Sequence, residues 1–128
     1  MGNGTPLGQV RGLGSAHHGV HHWLVQRFTA IGNLVLLLFL AISFAMLPGY
    51  DFETVRAWVA SPLPAVALAL MIISVFWHAR LGLQVLAEDY VHTVANRFGV
   101  LALLNIATFG GAAFGLFCIV RLALGGAA

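Results

Sequence analysis

The sequence predicts an all-α membrane protein with three transmembrane helices, and three observations predict it. Of the 128 residues, 60% are hydrophobic and only 8% are charged, which no water-soluble domain of this size can hide in one core. Mean hydropathy is +0.94 over the whole chain. The apolar residues gather into three runs, each near the roughly 20 residues that a helix needs to cross about 30 Å of hydrocarbon.

Charge and cysteine content exclude several function classes. The six basic residues include no lysine and face four acids, so the pI of about 9.3 rests on a handful of arginines and gives no sign of nucleic-acid binding. Cys118 is the single cysteine and lies within an apolar run. It has no intrachain partner for a disulfide or a cysteine metal site, and is expected to pack as a small apolar side chain.

The elements follow in chain order. Residues 1–14 are rich in glycine, carry only Arg11 as a charge and have no apolar core, so they are expected to be flexible. They do not have the pattern of a signal peptide, because the first apolar run lies further in and is long enough to anchor the chain. Residues 1–22 are accordingly expected to form a flexible or interfacial N-terminal segment, and residues 23–128 a three-helix anchor domain.

The first span is placed at about 23–47 and stops at Pro48-Gly49-Tyr50-Asp51, a breaker cluster that reads as a turn. A second, at about 64–87, follows Ser61-Pro62-Leu63-Pro64, whose prolines suit the start of a helix rather than its interior. The third runs over about 98–124, from the Asn96-Arg97 corner to Gly125-Gly126, with Arg121 near enough to the end to snorkel to the headgroups. Its Gly111-Ala-Ala-Phe-Gly115 pattern permits close helix contact, and Asn105 and Thr108 are expected to make interhelical hydrogen bonds. Arg11, Arg27 and Arg97 fall on one side of the membrane, Arg56 and Arg121 on the other. The bias leans toward a cytoplasmic N-terminus.

Within the second span, residues 76–92 read FWHARLGLQVLAEDYVH and carry His78, Arg80, Glu88, Asp89 and Tyr90. An unpaired charge in a bilayer costs at least about 2.5 kcal/mol, so such residues need a functional reason. At 100° per residue His78, Gly82, Val85 and Asp89 share one stripe. A glycine one turn from a histidine leaves room for a flat group beside the imidazole, a haem-like arrangement in which the second axial ligand comes from a facing helix. The competing interpretation is a histidine satisfied by an interhelical hydrogen bond. Asp89 lies about 16 Å along the same face by helix rise, at the membrane surface. Beside it, Tyr90 offers a phenol that can hydrogen-bond a quinone carbonyl, and the carboxylate can relay protons; an ordinary solvated helix end has the same residues.

Two further groups deserve weighing. His17, His18, His21 and His22 are spaced so that pairs four apart share a helix face, the geometry of a metal chelate. Too few other histidines follow for a multi-box metal centre, so contact with headgroups or a partner protein is the preferred interpretation. Arg27, a turn or two into the first span with Gln26 and Thr29 beside it, suits a propionate carboxylate or a lipid phosphate equally. Arg80 has no role that the sequence assigns.

His78-xxx-Gly82-xxxxxx-Asp89-Tyr90, with the tail LAEDYVH, and the first-helix start QRFTAI over Gln26–Ile31 resemble the small hydrophobic anchor subunits of succinate dehydrogenase, respiratory complex II, of alphaproteobacterial and mitochondrial type. The likeness runs over all three spans from about Trp23. It implies that the chain is half of a heterodimeric haem-binding helix bundle in a bacterial inner membrane. His78 would be one axial ligand of haem b, with Gly82 packing beside the macrocycle and the other ligand supplied by the companion cytochrome b anchor subunit. Tyr90 would hydrogen-bond ubiquinone with Asp89 beside it, and Arg27 would lie near the haem propionates or the quinone pocket. The iron-sulfur and flavoprotein subunits would form the soluble arm and carry out succinate oxidation, leaving this chain to dock the arm and wall the quinone site. An anchor of a quinol:fumarate reductase, or a cofactor-free three-helix scaffold, is the alternative.

Overall fold

The computed structural model describes residues 5–6 and 19–125, and no strand occurs among them. Four helices are found there: α1 (Gly19–Ala45), α2 (Phe52–Ala60), α3 (Pro62–Tyr90) and α4 (Val94–Ala123). The three long ones are apolar and long enough to cross a membrane. α3 is the central helix, with α1 along one side and α4 along the other, while α1 and α4 make little direct contact. Only residues 91–93 join α3 to α4, and so short a connection makes them antiparallel neighbours.

Each long helix starts before the bound that hydropathy marks and α3 also ends beyond it, whereas α1 stops at Ala45 and α4 at Ala123, just short of theirs. α1 takes in His21 and His22, α3 takes in Glu88, Asp89 and Tyr90, and α4 starts at Val94 rather than near Phe98. The physical reason is that apolarity marks the hydrocarbon slab, whereas backbone hydrogen bonding carries a helix on into the headgroup region until a residue stops it. No proline or glycine lies between Leu83 and Arg97 to do so earlier.

α2 occupies what hydropathy leaves as a loop between spans. Asp51 caps it, its side chain accepting from Thr54 N at 3.2 Å and from the Thr54 hydroxyl at 2.7 Å. Pro62, at the first position of α3, prevents the two helices from merging. Trp58 Nε1 donates to Ser43 Oγ at 2.8 Å, and the Phe44 ring lies 5.3 Å from Tyr50 and 5.4 Å from Trp58. An amphipathic aromatic cluster of this kind suits the membrane–water boundary. It pins α2 to the end of α1.

The seam between α3 and α4 rests on small residues. A Cβ built on Gly111 would stand 2.7 Å from Phe76 Cζ, and one on Gly115 would stand 3.2 Å from two carbons of Ile72. The small-xxx-small pattern therefore holds the two helices close, as expected. Trp77 meets Phe109 edge-on at 6.3 Å between centroids. Arg80 Nε donates to Asn105 Oδ1 at 2.6 Å, and the guanidinium stacks 5.4 Å from the Trp77 ring centre. This gives Arg80 a role: a cation on α3 that fastens α4 through a side-chain amide, using its planar fork and the aromatic face together. Asn105 makes the interhelical bond expected of it, and Thr108 is buried.

Gly111→Leu is expected to destabilise the bundle by about 1–3 kcal/mol, because the inserted side chain overpacks Phe76. Nothing lies within 4 Å of a Cβ on Gly110, so Gly110→Leu is the matched control and should be tolerated. Denaturant titration of the purified protein in mild detergent measures both.

Candidate functional site

α1 contributes a polar stripe to an otherwise apolar helix. Gln26, Thr29 and Asn33 recur at spacings of three and four, which places them on one face. That face meets α3. Thr29 Oγ1 lies 3.0 Å from His78 Nδ1, and a Cβ on Gly82 would stand 3.5 Å from Gln26 Nε2. Gly82 thus lets the Gln26 side chain approach α3 one turn from the histidine. Two side-chain oxygens on the stripe, Gln26 Oε1 and Asn33 Oδ1, are buried with no hydrogen-bond partner among the described residues. Buried acceptors are paired in most proteins, so the stripe holds more hydrogen-bonding capacity than this chain alone uses.

His78 is half-buried. Its bond to Thr29 realises the interhelical hydrogen bond weighed from the sequence, and it engages Nδ1 alone. An imidazole has two nitrogens, so this bond and metal ligation through Nε2 are compatible.

Because α3 is continuous to Tyr90, the stripe from His78 through Gly82 and Val85 to Asp89 keeps its register, and the offset of about 16 Å stands. Its two ends have different surroundings. His78 and Gly82 lie against α1, whereas Val85 and Asp89 are exposed. Gln84 Nε2 donates to Glu88 Oε1 at 2.9 Å, tying that carboxylate to its own helix. The Asp89 side chain makes no hydrogen bond among the described residues and is exposed. Tyr90 is 77% exposed and closes one end of an apolar groove of about 550 Å³, lined by Leu83, Leu86, Val100, Leu103 and Leu104 between α3 and α4. A phenol at the mouth of a hydrocarbon-lined groove can bond a polar ring while the groove receives an apolar tail.

Arg27 lies apart from this seam. It is exposed on α1, with its guanidinium 5.5 Å from the Trp23 ring centre. His21 and His22 open with Val25, Arg80, Leu81 and Gln84 onto a cleft of about 270 Å³, and no group of three metal-ligating side chains occurs among the described residues. His17 and His18 lie outside the described residues. Sequence reasoning missed the joining of Thr29 to His78 and of Arg80 to Asn105. The first was signalled by the spacing of Gln26, Thr29 and Asn33, whereas nothing in the sequence chose Arg80 among several candidate partners for Asn105.

Residues 1–114 match the family model of the succinate dehydrogenase/fumarate reductase transmembrane subunit. The chain is 32% identical over 113 residues to the succinate dehydrogenase hydrophobic membrane anchor subunit of Rickettsia bellii, covering 83% of this chain and 90% of that protein. With the subunit of the same description from Rickettsia conorii it shares 29% over 117 residues, 89% of this chain and 83% of that one. The succinate dehydrogenase membrane anchor subunit of Reclinomonas americana is 32% identical over 91 residues, 69% of this chain and 76% of its own length. With three membrane-length helices and a match over most of its length, the chain belongs to the succinate dehydrogenase/fumarate reductase transmembrane subunit family.

Proposed function

We propose that the chain is the hydrophobic membrane anchor subunit of a succinate:ubiquinone oxidoreductase, that it co-ligates haem b through His78, and that its Asp89-Tyr90 corner forms part of the ubiquinone reduction site. The observation that carries this is the single unbroken helix α3, which sets a half-buried histidine inside the apolar span and an exposed aspartate–tyrosine pair about 16 Å away at its end. The names of the relatives support the succinate dehydrogenase half of the proposal.

The residues present fit a haem. His78 engages one ring nitrogen with Thr29 and leaves the other for a metal. When bound, haem b supplies a site that takes and gives up single electrons. This chain would contribute the His78 imidazole, and the companion cytochrome b subunit would supply the other ligand. Arg27, exposed near the start of α1, would meet a propionate or a lipid phosphate as a charged hydrogen-bond donor.

At the other end, the Tyr90 hydroxyl donates to a ubiquinone carbonyl, and the carboxylate of Asp89, in contact with water, receives and passes on protons as the quinone takes up two electrons and two protons. The groove beside Tyr90 receives the isoprenoid tail. The flavoprotein and iron-sulfur subunits dock on this face, which the arginine bias puts on the cytoplasmic side of the inner membrane. Succinate chemistry stays on the soluble arm.

Co-expression with those partners and purification through an affinity tag on this chain tests the proposal. The expected product is a four-subunit complex with a b-type reduced-minus-oxidised spectrum and succinate-dependent ubiquinone reduction. A chain that purifies alone, or a complex that carries no haem, overturns it.

A further inference from the structure

Thr29 Oγ1 has three neighbours: the Val25 carbonyl oxygen at 2.8 Å, the Gln26 carbonyl oxygen at 3.1 Å and His78 Nδ1 at 3.0 Å. A hydroxyl owns one hydrogen and two acceptor lone pairs. The shortest contact, to the carbonyl four residues back, is the usual place for a helical threonine to send that hydrogen. The hydroxyl oxygen then faces His78 as an acceptor. Only a protonated Nδ1 can satisfy it, which makes Nε2 the nitrogen with the free lone pair. In the opposite arrangement the hydroxyl donates to Nδ1, the proton moves to Nε2, and Nε2 ceases to be a ligand.

We infer that Thr29 is the positioning residue for His78: by accepting the Nδ1 proton it fixes the ring's tautomer and orientation and presents Nε2 to the haem iron. This rests on the proposal that His78 is an axial ligand. Thr29 is suited to the task, because its hydroxyl is held by its own helix backbone and its β-branched side chain is stiff, leaving the oxygen little freedom to turn away. Among the described residues, it is the one side chain hydrogen-bonded to His78. The flanking stripe residues, Gln26 and Asn33, each bury an unpartnered oxygen, so neither accepts from the imidazole in its place. An acceptor on the far nitrogen also makes the ligating nitrogen more basic, which favours the more oxidised metal.

The test uses the intact four-subunit complex carrying Thr29→Val, Thr29→Ala, Thr29→Ser or His78→Ala. Three properties are read: haem midpoint potential by redox titration, the low-spin g-values of the oxidised haem, and haem retention against excess apomyoglobin. Valine keeps the shape of threonine without the oxygen, and alanine removes the oxygen without adding bulk. Both should raise the potential, alter the g-values and weaken haem affinity by about 10- to 100-fold, the usual effect of removing an outer-shell partner. Serine should restore native values. If whichever of valine and alanine assembles keeps the native potential and g-values, or if serine behaves like alanine, Thr29 does not position the ring. His78→Ala separates the two ideas. A native haem spectrum in that variant refutes the ligand assignment, whereas loss of the spectrum there with unchanged Thr29→Val or Thr29→Ala refutes only the role of Thr29.

Discussion

Replacing His78 with alanine removes the b-type haem spectrum from the purified complex while the four subunits still copurify. The size of the effect follows from what is lost. Outer-shell substitutions weaken metal sites by roughly 10- to 100-fold, and removal of an axial ligand goes well beyond that. The helix itself should tolerate the change, because alanine has the best helix propensity and the half-buried position leaves no sealed cavity. Thr29 loses its partner on α3 but keeps its 2.8 Å bond to the Val25 carbonyl, so no polar group is orphaned. A difference spectrum on complex of verified subunit content measures the outcome. Survival of the native signal in an intact complex would show that the iron takes its ligands elsewhere.

Replacing Tyr90 with phenylalanine lowers kcat/KM for ubiquinone by about 10- to 100-fold and leaves succinate oxidation by a soluble dye at its native rate. The variant removes one oxygen from a ring that is 77% exposed, so there is almost no packing to disturb. Loss of a hydrogen bond to a bound carbonyl costs about 1–3 kcal/mol, and each factor of ten corresponds to about 1.36 kcal/mol. The dye control matters because it draws electrons from the soluble arm before they reach the membrane. Steady-state assays with both acceptors give the ratio. Equal losses with both would place the fault in docking, and no loss with either would remove Tyr90 from the quinone site.

The three spans were legible because the bilayer imposes one simple rule, and runs such as Leu34–Ile42 obey it without exception. α2 was not, because a nine-residue amphipathic helix at the boundary leaves no hydropathy signal, although Asp51 followed by Thr54 is a capping pattern. Helical periodicity placed Asp89 in register with His78, and the continuity of α3 preserves that register. What periodicity could not supply was the neighbour of each residue. The pattern around Gly82 suggested room for a flat group, and the structure finds the Gln26 amide near that position. Arg80 was unassigned because its partner Asn105 is 25 residues away on another helix, a pairing fixed by how α3 and α4 rotate against each other. Rotation is set by Gly111 and Gly115, whose contacts depend on three-dimensional approach rather than on order along the chain.

Among the described residues, the buried set is small: Leu40, Pro64, Ala67, Leu81, Ala87 and Thr108. Side chains as large as Phe28 and Ile106 are each 70% exposed. A chain with so little interior owes its conformation to what surrounds it, whether acyl chains or the flanks of a companion subunit. If the companion subunit of the proposed function supplies those flanks, the chain's cellular abundance should follow the supply of that companion. Copies made in excess would then keep unsatisfied polar seams, such as that at Gln26 and Asn33, within the bilayer, and are expected to be degraded faster than assembled ones. Subunit balance in the membrane would then be kept by turnover of the surplus, which a pulse-chase with and without the companion measures.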